Sequence, residues 1–122
     1  PKPKSYITNG QTFYLSPNVK ILYSGELEKL ANYLGESLSP ATAWDFKVEQ
    51  ITKKKGNYIA LSIDSSKILE KEGYLLTVTN KSVEIIGGSS AGVLNGIQTI
   101  FKHRLKKLIE LDNPTIKRYF GW

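Results

Sequence analysis

The run Gly73-Tyr74-Leu75-Leu76-Thr77-Val78-Thr79-Asn80-Lys81-Ser82-Val83-Glu84-Ile85-Ile86 carries two short strand patterns around a polar turn. Tyr74, Leu76 and Val78 alternate against Leu75, Thr77 and Thr79, the period of two that marks a strand with two different faces. Asn80-Lys81 supplies a two-residue turn, so Gly73 to Ile86 reads as a β-hairpin. The glycine-rich Gly87-Gly88-Ser89-Ser90 then leads into a run of helical period. There Leu94, Ile97, Phe101, Leu105 and Leu108 form one stripe, with Val93 and Ile100 beside it. Gly92 and Gly96 lie four apart on that helix. Glycine inside a helix costs about 1 kcal/mol relative to alanine, so a close backbone approach to the sheet is the expected compensation.

Upstream of the hairpin, Tyr58 to Ile63 alternates with both faces mostly apolar and predicts a central strand. Trp44 to Ile51 alternates more loosely and ends at the polar turn Lys53-Lys54-Lys55-Gly56-Asn57. Leu27, Leu30, Ala31, Leu34 and Leu38 recur at helical spacing, with Ser24 and two glutamates at the start and Pro40 expected to stop the helix. Thr12 to Leu15 and Val19 to Tyr23 read as strands joined by Ser16-Pro17-Asn18, as a hairpin or a bent strand. The element order predicts a single α+β domain: a mixed, mostly antiparallel sheet with two helices packed on one face.

The 122 residues are the size of one domain, and 40% hydrophobic with 23% charged residues argues against disorder, collagen-like and coiled-coil chains. Zero cysteines exclude disulfides and thiolate metal sites, and a single histidine, His103, makes a zinc site uncommon. No cofactor or metal is expected. The net charge of +6 would favour anionic partners if it were concentrated, but the two dense patches, Lys53–Lys55 and Lys102 to Lys107, fall in different elements. Nucleic acid is therefore not an expected partner. No run approaches the roughly 18 apolar residues of a membrane-spanning helix, so no membrane insertion is expected. A chain that begins with proline and lacks methionine reads as a piece cut from a longer product.

Candidate chemistry is sparse. Gly87 to Gly92 sits between a strand and a helix but lacks the lysine-serine or lysine-threonine ending of a phosphate loop, so a tight strand-to-helix turn is the better reading. His103 lies among cations where a helix C-terminal dipole favours positive charge, with no partner for acid/base work. Asp45, Asp64, Glu70, Glu72, Glu110 and Asp112 are scattered, with no Asp-Glu dyad. No catalytic residue is assigned. Most aromatic residues read as core, whereas Arg118-Tyr119-Phe120-Gly121-Trp122 follows Pro114 at the chain end and reads as a cluster needing a partner surface.

Three stretches together resemble the small domain that precedes the catalytic barrel in β-N-acetylhexosaminidases of glycoside hydrolase family 20. Pro1-Lys2-Pro3-Lys4 with Gly10, Phe13, Leu15 and Ile21 is similar to the family's entry and first strand. Glu72 to Val78 with Val83 to Ile86 resembles its E-G-Y-x-L-x-V hairpin, and Ser90 to Ile100 its A-G-x-x-x-G-x-Q-T-L helix. Asp112-Asn113-Pro114 and Tyr119-Phe120-Gly121 look like its link into the barrel, with Phe120 where an arginine is expected. The stretch from Leu38 to Ser66 carries no resemblance.

The resemblance implies a zincin-like fold over residues 1–113 and a link over 114–122. It implies a non-catalytic support domain of an enzyme that removes terminal N-acetylhexosamine from glycans. The partner is then the parent's own C-terminal catalytic barrel, with the glycan reached through that barrel and an extracytoplasmic location. Interdomain docking falls to Arg118, Tyr119, Phe120 and Trp122, or to an apolar helix face. Two other readings stand beside it: the same module ahead of an O-linked N-acetylglucosaminidase or α-glucuronidase barrel, and a stand-alone carbohydrate- or nucleic-acid-binding module.

Overall fold

Two helices lie on one face of a six-stranded sheet in the computed structural model, which describes residues 6–7, 13–42, 44–68, 70–101 and 109–111. In chain order the elements are β1 (Tyr6–Ile7), β2 (Phe13–Leu15), β3 (Lys20–Tyr23), α1 (Glu28–Thr42), β4 (Val48–Gln50), β5 (Tyr58–Ile63), β6 (Tyr74–Val78), β7 (Ser82–Gly87), α2 (Ser90–Thr99) and β8 (Ile109–Leu111). The main sheet runs β1-β6-β7-β5-β3-β4, and β2 pairs with β8 in a separate ladder.

Register explains why the alternating residues form one core. Ile21, Ile59, Val83 and Val78 stand abreast in one row, and Tyr23, Leu61, Ile85 and Leu76 in the next. Leu27, Ala31, Leu34 and Leu38 from the first helical region and Val93, Ile97 and Ile100 from the second close over these rows in a single buried cluster. Gly35 of α1 abuts Ile21 and Gly96 of α2 abuts Ile85, which share a sheet face, so both helices cover the same side. Each fully buried aliphatic side chain contributes roughly 1.5–3 kcal/mol by leaving water. β5 is central, between β7 and β3, as its two apolar faces predict. The β6–β7 hairpin also matches: the Thr79 amide donates to the Ser82 carbonyl across the Asn80-Lys81 turn.

The sheet is mixed, but its strands are not mostly antiparallel. Among the described residues only β6 and β7 pair antiparallel, while β1/β6, β3/β4, β3/β5, β5/β7 and β2/β8 are parallel. Periodicity fixes a strand's faces, whereas its direction follows from the connection. A two-residue turn forces reversal, and the helix between β3 and β4 permits a parallel return. The two strands around Ser16-Pro17-Asn18 form no hairpin either, because β2 joins β8 while β3 enters the main sheet. α1 continues past Pro40 to Thr42. A proline so close to a helix end removes a single intrahelical amide and does not stop the last residues. From Trp44 to Ile51 only Val48–Gln50 is strand, with Trp44 and Phe46 packed edge to face before it.

The buried line of α2 is Gly92, Val93, Gly96, Ile97 and Thr99, and Leu94 is only half-buried. The expected stripe is thus turned toward the glycines, where missing side chains let the axis approach the sheet. Leu105 and Leu108 lie outside the described residues.

Candidate functional site

Two of the three resemblance-bearing stretches, Glu72 to Ile86 and Ser90 to Ile100, meet at the joint between α2, the β6–β7 hairpin and residues 70–73. A Cβ on Gly88 would lie 2.2 Å from the Glu70 carbonyl oxygen, and one on Gly92 would lie 2.2 Å from that of Gly73. The Gly88 amide donates to the Gly73 carbonyl at 3.0 Å, Ser89 Oγ to the Lys71 carbonyl at 2.6 Å, and Asn95 Nδ2 to the Glu72 carbonyl at 3.0 Å. The glycine-rich turn is therefore filled by the chain's own backbone, which is the tight-turn reading and not an anion cradle. Beneath it the Tyr74 hydroxyl is hydrogen-bonded to Thr99 Oγ1, both residues buried, and Thr99 Oγ1 also donates to the Asn95 carbonyl at 3.0 Å. Sequence reading placed Tyr74 in the core but missed this pairing. The available signal was a hydroxyl on each of two inward-facing positions.

Among the described residues no three His, Cys, Asp or Glu side chains gather as a metal site would require, and no helix is long and apolar enough to cross a membrane. Asp64 organises the turn after β5. Its Oδ1 accepts from Ser66 Oγ at 2.6 Å and from the Ser66 and Lys67 amides at 3.0 and 3.2 Å. The Ser66 hydroxyl first, then the two amides, hold its carboxyl below the ordinary 3.8. The turn's contribution to stability is then fully present above pH 3.8 and is lost as pH falls through the lowered value. A carboxyl-carbon NMR titration should give Asp64 a midpoint below 3.8, and a midpoint at or above it would contradict this turn geometry.

His103, Arg118, Tyr119, Phe120 and Trp122 lie outside the described residues, as do Asp112 and the rest of the expected link. Half-buried Leu30 and Phe101 pack against the core, Leu94 of α2 is half-buried, and Tyr33 of α1 is 44% exposed.

The lysines are less dispersed than their positions along the chain imply. On the sheet face away from the helices, Glu49 lies 3.8 Å from Lys20 and 3.3 Å from Lys47, and Glu84 lies 3.1 Å from Lys54. Tyr58 donates to Glu84 at 3.2 Å, and partial burial, then the Glu84 charge, raise its phenol above the usual 10.0. Lys20, Lys47 and Lys54 are brought near one another because parallel strands start at the same end, while the second dense patch, Lys102 to Lys107, lies outside the described residues.

Comparison with known proteins agrees with this geometry. The model of glycosyl hydrolase family 20, domain 2, matches residues 1–108. A beta-hexosaminidase of Porphyromonas gingivalis is 28% identical over 103 residues, which are 84% of this chain and 13% of that protein. The solved GH20 beta-N-acetylhexosaminidase of Streptomyces coelicolor A3(2) is similar with a TM-score of 0.61 and 26% identity, over 75% of this chain and 18% of that one. The chain thus spans less than a fifth of the length of either relative. With a mixed sheet, two helices on one face and a family match over nearly its whole length, the chain belongs to glycosyl hydrolase family 20, as its domain 2.

Proposed function

We propose that this chain is the non-catalytic support domain of a β-N-acetylhexosaminidase that removes terminal N-acetylhexosamine from glycans. Residues 1–113 are the domain, and 114–122 are the link into a C-terminal catalytic barrel that is its partner. The observation that carries the reading is the joint itself: Gly92, Gly96, Tyr74 and Thr99, which match the family's motifs, are engaged in the chain's own packing, with Gly88 and Asn95 beside them. In this family the substrate's acetamido group is the nucleophile and an adjacent Asp-Glu pair of the barrel orients it and donates a proton. The chain has no Asp-Glu dipeptide. Its work is then mechanical: a rigid sheet-and-helix layer that holds the barrel through an interface of about 600–1,500 Å². Arg118, Tyr119, Phe120 and Trp122 of the link are assigned to that contact, together with the outer side of the helices.

The purified chain should release no chromophore from an aryl N-acetylglucosaminide above the buffer rate, and enzyme-like turnover would overturn the reading. The coding sequence beyond Trp122 should translate into repeating strand and helix patterns with an Asp-Glu pair at a strand end. An immediate stop codon would count equally against it.

A further inference from the structure

Four strand starts lie side by side at one end of the sheet, because β4, β3, β5 and β7 all run in the same direction. Lys20 opens β3, Lys47 precedes β4, Lys53, Lys54 and Lys55 lie in the loop before β5, and Lys81 precedes β7. Backbone hydrogen bonds fix Lys20, Lys47 and Lys81 as neighbours: the Ile21 amide donates to the Lys47 carbonyl, that of Lys20 to Asn57 and that of Tyr58 to Lys81, while Lys54 reaches the same sheet through Glu84 at 3.1 Å. All six lysines are exposed. Against them stand Asp45, Glu49 and Glu84, so among the described residues this end holds a surplus of three positive charges. The opposite end, where β5 and β7 finish and α1 starts, carries Glu26, Glu28, Asp64, Glu70 and Glu72 against Lys29, Lys67 and Lys71. Among the described residues, the charge is therefore positive at one end of these strands and negative at the other.

We propose that the lysine-bearing end of the sheet binds a linear anionic polysaccharide through its repeating sulfate or carboxylate groups. Four adjacent strand starts at about 4.8 Å spacing span roughly 14 Å, a run several sugar rings long and suited to a polymer more than to a single anion. Glu49 and Glu84 hold Lys20, Lys47 and Lys54 against the sheet, while no described carboxylate lies within ion-pair reach of Lys53, Lys55 or Lys81. Single-stranded nucleic acid would call for open aromatic platforms. The rings nearest this end are engaged otherwise: Trp44 and Phe46 pack against the core and Tyr58 bonds to Glu84. The choice of a glycan as the polyanion rests on the reading of the chain as part of a glycan-cleaving enzyme. Binding is read without any activity, so the two fail separately.

The test is titration of the whole chain with heparin, hyaluronan, chitohexaose, duplex DNA and phosphatidylglycerol vesicles at about 50 mM and about 200 mM salt. Binding to heparin or hyaluronan that weakens with salt, with none to neutral chitohexaose, is the expected result. Lys53→Gln/Lys54→Gln/Lys55→Gln should weaken it at least about tenfold. Lys29→Gln/Lys67→Gln/Lys71→Gln, which removes the same charge from the opposite end, should change it less than about twofold. Equal losses in both variants would reduce the effect to net charge and overturn the site. Tighter binding to DNA or to vesicles than to either acidic glycan would overturn the partner class, and no binding at the lower salt would overturn both.

Discussion

Gly92→Ala should lower the thermal midpoint by about 10 °C, corresponding to a loss of about 2–3 kcal/mol. In isolation the change favours folding, since alanine is better than glycine in a helix by about 1 kcal/mol. What reverses the sign is position. The new Cβ would lie 2.2 Å from the Gly73 carbonyl oxygen and 3.2 Å from that of Lys71, and both obstacles are backbone. A side chain could rotate away; a carbonyl moves only if its turn or the helix moves. Shifting α2 outward loosens Val93 and Ile97, which are fully buried against the sheet, so packing is lost together with the clash. Gly25→Ala is the comparison. Gly25 has nothing within 4 Å of its added Cβ but a φ of +57°, so alanine there meets only the left-handed backbone penalty of about 1–2 kcal/mol. Thermal melts of the two variants separate steric exclusion from backbone strain. A Gly92→Ala protein as stable as the parent would mean that α2 does not sit this close to the 71–73 turn.

The same glycines show what the sequence could and could not convey. Their spacing predicted a close approach, and Gly92 and Gly96 do make one, but not against a single surface. Gly96 meets Ile85 of the sheet, whereas Gly92 meets the backbone turn before β6. That turn could not be anticipated, because its place is set by how β5 connects across β7 to β6. Strand existence was legible at Tyr58–Ile63 and through the hairpin because one period governs each. Strand direction was not legible beyond the two-residue turn. The lysine cluster follows from the same gap. Lys20, Lys47, Lys54 and Lys81 are distant in sequence, and only the parallel order of β4, β3, β5 and β7 makes them neighbours. A pattern read residue by residue sees charge per element, while charge per surface depends on topology.

Tyr74→Ala should be the most damaging single truncation at the joint, about 3–5 kcal/mol, because it removes a buried ring that Gly96 was left open to receive. Subtler substitutions locate the hydroxyl's share and the direction of its hydrogen bond. Thr99 Oγ1 has one proton, and it goes to the Asn95 carbonyl at 3.0 Å. The Tyr74 hydroxyl must then be the donor in the bond to Thr99. Tyr74→Phe removes that donor and leaves the Thr99 proton satisfied, so its cost should be about 1 kcal/mol. Thr99→Val keeps the shape of the side chain but strands a buried phenolic O–H without its acceptor, so its cost should be nearer 2 kcal/mol. Once Tyr74→Phe has removed the phenol, adding Thr99→Val should cost clearly less than it does alone. Denaturant melts of the two single variants and the double variant check both the asymmetry and the coupling. Strict additivity would mean that the hydroxyls do not meet. Tyr74→Phe costing more than Thr99→Val would mean that the proton runs the other way, from Thr99 to Tyr74, and that the Asn95 carbonyl finds another donor.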